Sequence, residues 1–440
     1  MWKIYGTILA LLLLSYTVYG DGFDADPPRY VRERVTPSLD FLNAGPFYNG
    51  AAIVFMAGGQ VAVVDTHGQF IIEPRAYMSG GLEIQGEVFP FPSEELSEGL
   101  IAFYNTLGEQ VIPPLFLDAK PFREGLAAVR IQGFREGLWG FINIYGDVVI
   151  PPFFSDVGEF SQGLAPVQGD NNFWGYINPQ GETVIYPTFC AVTPFSGGLA
   201  TALLTHPYTQ DAPELAVIDS YGNAIFWLEH PVDTPGFSHG LIVAAMPQDG
   251  EYDQLLFGFK NTAGEWVVPA IYDWVAPFSD GLAAVRLNGS TAFVDTYGNI
   301  VIPFANRLAG SFTQGRAPII VDGLMGYMNT QGEIVIEPAF NIAENFANGI
   351  AVVGLVGEDG RMGYGFINLL GHELTPLKYQ FAHGFFGNYA WVQQDNLWGI
   401  LEIYTPAPSN RIDSLPAIII VAIVVVAIIA WTITIKIKGE

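Results

Sequence analysis

The sequence predicts an all-β repeat protein, a propeller-like ring of about nine units with three or four strands each, and three observations support this. Apolar residues make up 50% of the chain, and 50 Gly and 30 Pro residues are too many for a helical bundle. No segment between residues 22 and 410 keeps an apolar period of 3.6, so we expect little helix there. One short pattern, [N/D]-x-x-G followed by apolar residues, recurs along the chain.

The recurring pattern marks one unit of the repeat. Asn or Asp opens a hairpin turn, and Gly supplies the positive φ that the turn needs. The strand after it, VVIPP in one copy, is expected to end at its prolines, because Pro cannot donate to a strand ladder. The turn glycines stand 34 to 42 residues apart, at Gly68, Gly108, Gly146, Gly181, Gly222, Gly264, Gly298, Gly332 and Gly371.

Two further blocks complete the unit. The block F-x-x-G-apolar-A, for example FSQGLAPV at residues 160–167, predicts a strand of small residues, and its Phe is expected to join neighbouring units. The pair Trp-Gly opens a second strand, in which Gly lets the aromatic side chain lie against neighbouring backbone. We interpret these pairs as residues of the repeat structure: Trp139 and Gly140, Trp174 and Gly175, Trp398 and Gly399.

With these three blocks the chain resembles the WG-repeat (KWG) family, tandem-repeat proteins found mostly in bacteria, over about residues 45–405. The resemblance implies a β-rich repeat array and brings no catalytic motif. An open β-solenoid array is the alternative to a ring, because nine units exceed the usual four to eight blades of a propeller.

Both ends of the chain predict targeting to a membrane. Leu415 to Ile435 carries no charge and, at 1.5 Å per residue, is long enough to cross a hydrocarbon core of about 30 Å as a helix. Lys436 and Lys438 follow, as in a cytoplasmic tail. The predicted layout is a signal peptide (1–20), an N-terminal segment (21–44), the repeat domain (45–405), a linker (406–414), a transmembrane helix (415–435) and a tail (436–440). The repeat domain of this single-pass cell-membrane protein would be extracytoplasmic.

Charge and composition exclude some partners. The formal net charge of −26 leaves no basic surface for nucleic acid. A single cysteine, Cys190, excludes a disulfide within the chain. The partner expected beyond the membrane is therefore an extracellular protein or a glycan.

The sequence offers no recognisable reaction centre. HExxH, GxSxG and Walker motifs are absent, and the six histidines form no metal-ligand pattern. We therefore expect no enzymatic activity and no cofactor. The exception considered is Ca²⁺, bound by a row of oxygens at the third position of F-x-x-G; the alternative is that these are solvated turn residues. That position holds Glu98, Glu124 and Asp280, together with Gln162 and Gln314.

Four tryptophans break the repeat pattern and are candidate ligand-facing residues: Trp227, Trp266, Trp274 and Trp391. The favoured function is a membrane-anchored cell-surface platform that binds or scaffolds a protein or glycan. One alternative is an architectural spacer of the cell envelope. Another is a surface polysaccharide hydrolase or lyase, which would need two facing carboxylates.

Overall fold

The fold is described by a computed structural model that covers residues 30–76, 82–93, 99–131, 137–204, 214–228, 236–248, 251–305 and 308–404 of the 440. None of these residues is helical. The predicted signal peptide, linker, transmembrane segment and tail lie outside the described residues. Within the described ranges, no helix has the length and apolar character to cross a membrane.

The described residues form 36 β-strands. The first eighteen are β1 (Tyr30–Leu39), β2 (Asn43–Ala44), β3 (Ala51–Met56), β4 (Gln60–Asp65), β5 (Phe70–Ala76), β6 (Val88–Pro92), β7 (Ile101–Asn105), β8 (Gln110–Ala119), β9 (Leu126–Ile131), β10 (Trp139–Asn143), β11 (Val148–Phe154), β12 (Asp156–Val157), β13 (Ala165–Gln168), β14 (Trp174–Ile177), β15 (Thr183–Phe189), β16 (Ala191–Val192), β17 (Leu199–Leu204) and β18 (Glu214–Asp219). The others are β19 (Ala224–Leu228), β20 (Leu241–Gln248), β21 (Glu251–Asn261), β22 (Trp266–Tyr272), β23 (Trp274–Val275), β24 (Leu282–Leu287), β25 (Ser290–Asp295), β26 (Ile300–Ala305), β27 (Leu308–Ala309), β28 (Arg316–Val321), β29 (Leu324–Asn329), β30 (Ile334–Phe340), β31 (Ile342–Ala343), β32 (Ile350–Val356), β33 (Met362–Asn368), β34 (Phe381–Ala382), β35 (Tyr389–Gln394) and β36 (Leu397–Tyr404).

These strands form nine small sheets in a propeller-like ring, which confirms the predicted all-β repeat architecture. Within a sheet the strands follow one another in chain order: β2–β5, β6–β11, β12–β15, β16–β19, β20–β22, β23–β26, β27–β30, β31–β33, and β34–β36 with β1. The six-stranded sheet contains two successive repeats, because β8 runs on far enough to pair with β9. Elsewhere, the last strand of one sheet does not pair with the first strand of the next sheet.

A typical unit has a short strand and three long strands. In the sheet β12–β15, the short strand leads through the F-x-x-G turn into the first long strand, and the N-x-x-G turn joins the second to the third. The third long strand does not end at its prolines as predicted. Strand β11 continues through Pro151 and Pro152, since it forms a sheet edge, and a bulge opposite Phe141 disturbs the ladder there.

Aromatic rings join neighbouring units at seven of the described junctions, as the sequence predicts. The buried Phe of an F-x-x-G turn packs against the aromatic residue that follows the Trp-Gly position of the preceding unit. The ring centroids lie 4.7 to 5.1 Å apart in the pairs Phe103–Phe122, Phe141–Phe160, Tyr176–Phe195, Phe259–Phe278, Phe293–Phe312, Tyr327–Phe346 and Phe366–Phe385. Each pair buries large apolar area, so neighbouring units stabilise one another.

The ring is closed by the first described strand. β1 lies beside β36 and takes the place of the third long strand of the last unit. A single buried cluster contains Phe41 and Phe47 from the start of the chain together with Trp391 and Trp398 from its last unit. The open array is thereby excluded, and residues 30–39, assigned by the sequence to a separate N-terminal segment, form part of the repeat domain.

Hydrogen bonds and ion pairs accompany this closure. The indole N–H groups of Trp391 and Trp398 donate to the carbonyl oxygens of Gly45 and Phe41, at 2.8 and 3.0 Å. Arg32 and Arg34 both donate to the carboxylate of Glu402. The buried indole bonds matter most here, because an unsatisfied buried donor costs about 1–3 kcal/mol.

Candidate binding surfaces

The strand register divides every sheet into two ends. Leu126, which follows an F-x-x-G turn, pairs with Asn143, which opens an N-x-x-G turn. Leu282 and Asp295 pair in the same way. Both glycine turns therefore lie at one end, which we call the turn end. The loops between the first and second long strands lie at the other, the hairpin end.

Side chains at the third position of F-x-x-G join neighbouring turns at the turn end. Glu124 accepts hydrogen bonds from the backbone N–H groups of Gln162 and Gly163 in the next unit, at 2.7 and 2.9 Å. Asp280 accepts one from Gly315 at 2.8 Å. These carboxylate oxygens bind neighbouring backbone while they remain at the exposed surface of the turn end.

The two glutamines at this position act in the same way. Gln162 accepts a hydrogen bond from the backbone N–H of Gly198 at 2.8 Å, and Gln314 accepts one from that of Gly349 at 2.7 Å. Glu98, assigned to this set by the sequence, lies outside the described residues. An F-x-x-G turn leads into the first long strand of a unit. The next strand after Glu98 is β7, which ends in an N-x-x-G turn and is therefore a second long strand. The assignment of Glu98 to an F-x-x-G turn is therefore wrong.

The N-x-x-G turn is held by its own first residue. Asn143 Oδ1 accepts from the backbone N–H groups of Tyr145 and Asp147, both at 3.0 Å, and its Nδ2 donates to the Asp147 carboxylate. In the turn opened by Asp219, the side-chain hydrogen bond from Asn223 keeps the pKa of Asp219 below its usual value. The geometry leaves the residue before Gly pointing outward: Tyr145 is 80% exposed.

The hairpin end differs from unit to unit. The loop between the first and second long strands has two residues at 288–289 and 322–323, and five at 169–173 and 357–361. Loops carried on a rigid scaffold are where binding residues are commonly found. The hairpin end is therefore the candidate surface for partner recognition.

The four candidate tryptophans occupy different environments. Trp227 and Trp274 are 44% and 41% exposed, and both pair with residues in the hairpin half of their sheets. The Arg286 guanidinium lies over the Trp274 ring, 5.0 Å from its centroid. Trp266 is partly buried under Lys260. These three side chains belong to three different sheets.

Trp391 is not ligand-facing, contrary to the sequence interpretation. It is 1% exposed, its ring stacks on Phe47 at 4.8 Å, and its indole N–H bonds to Gly45. It contributes to a wall of a cavity of about 100 Å³ at the closure of the ring. Trp391 joins the last unit to the first. The repeat pattern does not indicate that Phe47 and Gly45 would lie next to it.

At the Trp-Gly positions the aromatic side chain is at least partly buried and the glycine lies close to neighbouring backbone. Trp139 and Trp398 are buried and Trp174 is partly buried. A Cβ at Gly140 would lie 2.6 Å from the Ile150 carbonyl oxygen, and one at Gly175 would lie 2.3 Å from that of Ile185. At Gly399 the same approach is made by β1, where a Cβ would lie 2.7 Å from the Val35 oxygen.

A cleft at the hairpin end has the character of a binding site. Its volume is about 360 Å³, and it lies between the sheets β31–β33 and β34–β36. Arg361 and Lys378 bring cationic groups, Asp359 and Asp395 bring carboxylates, and Leu377 contributes apolar surface. Donors, acceptors and apolar atoms in one cleft suit a polar ligand such as a sugar or a peptide segment.

No cluster that could hold a metal ion is found in the part of the chain that the structure describes. His67, His239 and His372 are exposed in turns, and His206 and His230 lie outside the described residues. His383 stacks on Trp398 with ring centroids 5.7 Å apart, and burial lowers the pKa of its imidazole.

The sequence interpretation missed the cleft and the closing strand. Arg361 and Lys378 belong to segments without a repeat motif, so nothing in the spacing indicated that they would converge. A signal for the closing strand was present. Val35-Thr36-Pro37 resembles the apolar-x-Pro of a third long strand, but it precedes the first complete unit instead of following the last one.

Comparison with known proteins agrees with the repeat pattern. The family model for WG-containing repeats matches residues 102–133, 139–173, 174–204, 257–290, 325–355 and 364–398. A search of the curated proteins finds no match to this sequence.

Several solved structures are similar at low sequence identity. The computationally designed Ika8 protein is 14% identical, with 66% of this chain and 96% of that chain covered and a TM-score of 0.33. A eukaryotic initiation factor is 11% identical, with 77% and 95% covered and a TM-score of 0.45. BamB from Moraxella catarrhalis is 12% identical, with 65% and 96% covered and a TM-score of 0.30. Similarity at this level carries no functional information.

Proposed function

The chain is a tandem-repeat protein of the WG-containing repeat type, and from this premise we propose that it is a membrane-anchored surface protein whose ring binds or scaffolds a glycan or protein partner. The observation that carries the proposal is the contrast within each sheet. Motif positions that recur from unit to unit at the turn end join the units to one another, while the hairpin end presents loops of different length, exposed tryptophans and a polar cleft.

The anchoring part of the proposal rests on the sequence. Residues 1–20 have the form of a secretory signal peptide, and residues 415–435 carry no charge and are followed by Lys436 and Lys438. A span of this kind would hold the ring outside the cytoplasm. Flotation of the full chain with lipid vesicles tests it, and a chain that stays in the soluble fraction would refute it.

The binding part of the proposal is supported by the cleft and Trp274. Arg361 and the nearby carboxylates can exchange hydrogen bonds with hydroxyl or amide groups, and an exposed indole can cover the apolar face of a sugar or a side chain. The proposal includes no catalytic step and no cofactor. Release of shortened glycans during a binding assay would contradict the proposal that the chain performs no catalytic step.

A glycan array and a panel of extracellular peptides, probed with the full-length chain in nanodiscs, test the binding. We expect Arg361→Ala or Trp274→Ala to reduce binding at least tenfold. The control is Gln180→Ala, which changes an exposed side chain at the turn end. Equal loss in all three variants, or a full array without a ligand, would contradict the proposed surface.

A further inference from the structure

The third long strand of most units forms an edge of its sheet, and proline recurs in it. Because proline has no N–H and distorts the ladder, it keeps an edge strand from pairing with another chain. Strand β19 is the exception, since its sequence, AIFWL, has neither a proline nor a charge. The other third strands, with the segment 373–379 that bridges β33, contain Pro37, Pro74, Pro113, Pro114, Pro151, Pro152, Pro187, Pro269, Pro303, Pro338 and Pro376.

Strand β19 also pairs more regularly than the other third strands. Three successive residues of β18, Leu215 to Val217, pair with three successive residues of β19, Leu228 to Phe226. This ladder shifts once, between Phe226 and Ala224. The corresponding ladder shifts twice in the units that contain β5, β8, β11, β15, β22, β26 and β30. A ladder with fewer bulges leaves an edge that another strand can follow more easily.

The side chains of β19 alternate between core and solvent. Phe226 and Leu228 pack in one cluster with Ile242 of the next sheet. Ile225 and Trp227 are each 44% exposed. Among the described residues, no strand pairs with the other side of β19. An added strand would therefore meet open backbone groups with two exposed apolar side chains beside them.

We propose that the free edge of β19 binds an extended, proline-free segment of a basic partner protein, which adds a fifth strand to the sheet β16–β19. In this mode of recognition, backbone hydrogen bonds provide the affinity, and side chains at alternate positions provide the specificity. Ile225 and Trp227 favour a segment with apolar residues at alternate positions. The inference extends the proposed binding role to a second surface, which is separate from the cleft and independent of the membrane anchor.

Charge favours a basic partner over a second copy of this chain. The formal net charge is −26, and a large net charge of one sign keeps copies of a protein apart. A segment with lysines beside its paired residues is instead attracted to the acidic chain. Strand β19 carries no charged residue that would repel it.

Binding is measured with the full-length chain in mild detergent and a fluorescein-labelled peptide, KTVTVTVTK, which is basic and favours an extended conformation. We expect the anisotropy of the peptide to rise on binding, and Ile225→Lys to weaken the binding about tenfold. The control is Val184→Lys. Val184 is exposed and stands three residues after its turn glycine, as Ile225 does, but in the proline-containing β15. Equal affinity in the two variants would refute the proposed edge.

The backbone contact is tested without changing the protein. The same peptide, N-methylated at two adjacent central residues, cannot pair fully along either of its edges and should bind about tenfold more weakly. Equal binding of the two peptides would show that charge alone holds them and would contradict the proposal.

Hydrogen exchange locates the added strand. The unmethylated peptide should slow the exchange of amides in residues 224–228 and leave those in residues 183–189 unchanged. If every amide of β19 already exchanges slowly without peptide, another segment of the chain covers this edge, and the proposal is overturned.

Sedimentation of the free chain tests the second copy as the occupant. We expect a single species of monomer mass at the concentrations of the binding assay. A dimer that Ile225→Lys abolishes and Val184→Lys preserves would show that a second copy occupies the edge, contrary to the proposal. Failure of this inference is distinguishable from failure of the proposed cleft, since Arg361→Ala and Trp274→Ala change residues of other sheets.

Discussion

The turn end and the hairpin end of the same sheets differ in how their residues are used. At the turn end, the side chains of Glu124, Gln162, Asp280 and Gln314 each reach the backbone of the next unit. At the hairpin end, loop length changes from unit to unit, and charged residues converge in the cleft between two particular sheets. The recurrent motif therefore reports how units join, and departures from it mark the surface that we propose for binding a partner.

The glycine residues show the same contrast. Gly332 at the turn end and Gly323 at the hairpin end have nearly equal φ values of 82° and 83°. A Cβ at Gly332 would lie 2.9 Å from Ile302 of the preceding unit, whereas nothing lies within 4 Å of one at Gly323. The N-x-x-G glycine combines a left-handed backbone conformation with contact between units, whereas the F-x-x-G glycines at the same end, such as Gly163 and Gly281, have nothing within 4 Å of an added Cβ.

The largest expected effect follows from removing an inter-unit ring. Phe312 is fully buried and packs on Phe293 at 4.9 Å. We expect Phe312→Ala to lower the free energy of unfolding by about 3–5 kcal/mol. Chemical denaturation measures it, with Trp274→Ala, an exposed residue in the hairpin half of its sheet, as the control. An equal decrease in the free energy of unfolding in the two variants would show that contacts between units contribute no more to stability than an exposed residue near the hairpin end.

The glycine pair gives the next largest difference. Gly323→Ala should cost about 1 kcal/mol for its left-handed backbone conformation, and Gly332→Ala about 1–3 kcal/mol more because of the added contact with Ile302. Thermal unfolding of the two variants compares them directly. If the midpoints fall by the same amount, the turn glycine is a backbone requirement alone.

The closing ion pairs predict a dependence on pH. Burial of Glu402 raises the pKa of its carboxyl. The hydrogen bonds and charges of Arg32 and Arg34 lower this pKa by more than burial raises it, so it lies below its usual value of 4.5. The ion pairs of Glu402 therefore stabilise the fold fully above pH 4.5, and this stabilisation is lost as the pH falls through the lowered pKa of the folded state. We expect Glu402→Gln to cost about 1 kcal/mol at pH 7 and less at pH 3. A pH-independent difference in unfolding midpoint would contradict this account.

The smallest expected effect belongs to one inter-unit hydrogen bond. Gln314→Leu keeps the approximate size of the side chain but leaves the N–H of Gly349 without its 2.7 Å partner, at a cost of about 1 kcal/mol. Gln331→Leu, at an exposed N-x-x-G tip, is the matched control and should have almost no effect. A larger loss of stability in Gln331→Leu than in Gln314→Leu would contradict the stabilising role of the hydrogen bond between Gln314 and Gly349.

Most of the repeat architecture could be predicted from the sequence. The spacing of the turn glycines and the blocks around Trp139 and Phe160 indicate strand order, turn chemistry and contact between units, because each is a local requirement repeated many times. The prolines misled the prediction of strand ends, since Pro151 and Pro152 lie in a bulged edge strand where the missing N–H costs little.

The rest could not be predicted because it depends on contacts that occur once. The cleft needs Arg361, Lys378 and Asp395 to converge from three separate loops, and the burial of Trp391 needs Gly45, 346 residues away in the chain. Repetition carries no information about such pairs. The hydrogen bonds of the variable F-x-x-G position could not be predicted for a related reason, since the exposure of Glu124 follows from its own turn, but its hydrogen bonds depend on the next turn.

The closing strand has a consequence for biosynthesis. β1 is the first of the described strands to leave the ribosome, yet its partner β36 is the last of them, and Arg32 binds Glu402 from a distance of 370 residues along the chain. Intermediate units can pack on their neighbours as they emerge, whereas β1 must wait with an unpaired edge. A nascent chain stalled just before residue 397 should therefore remain protease-sensitive near its N-terminus, and release of the completed chain should abolish that sensitivity.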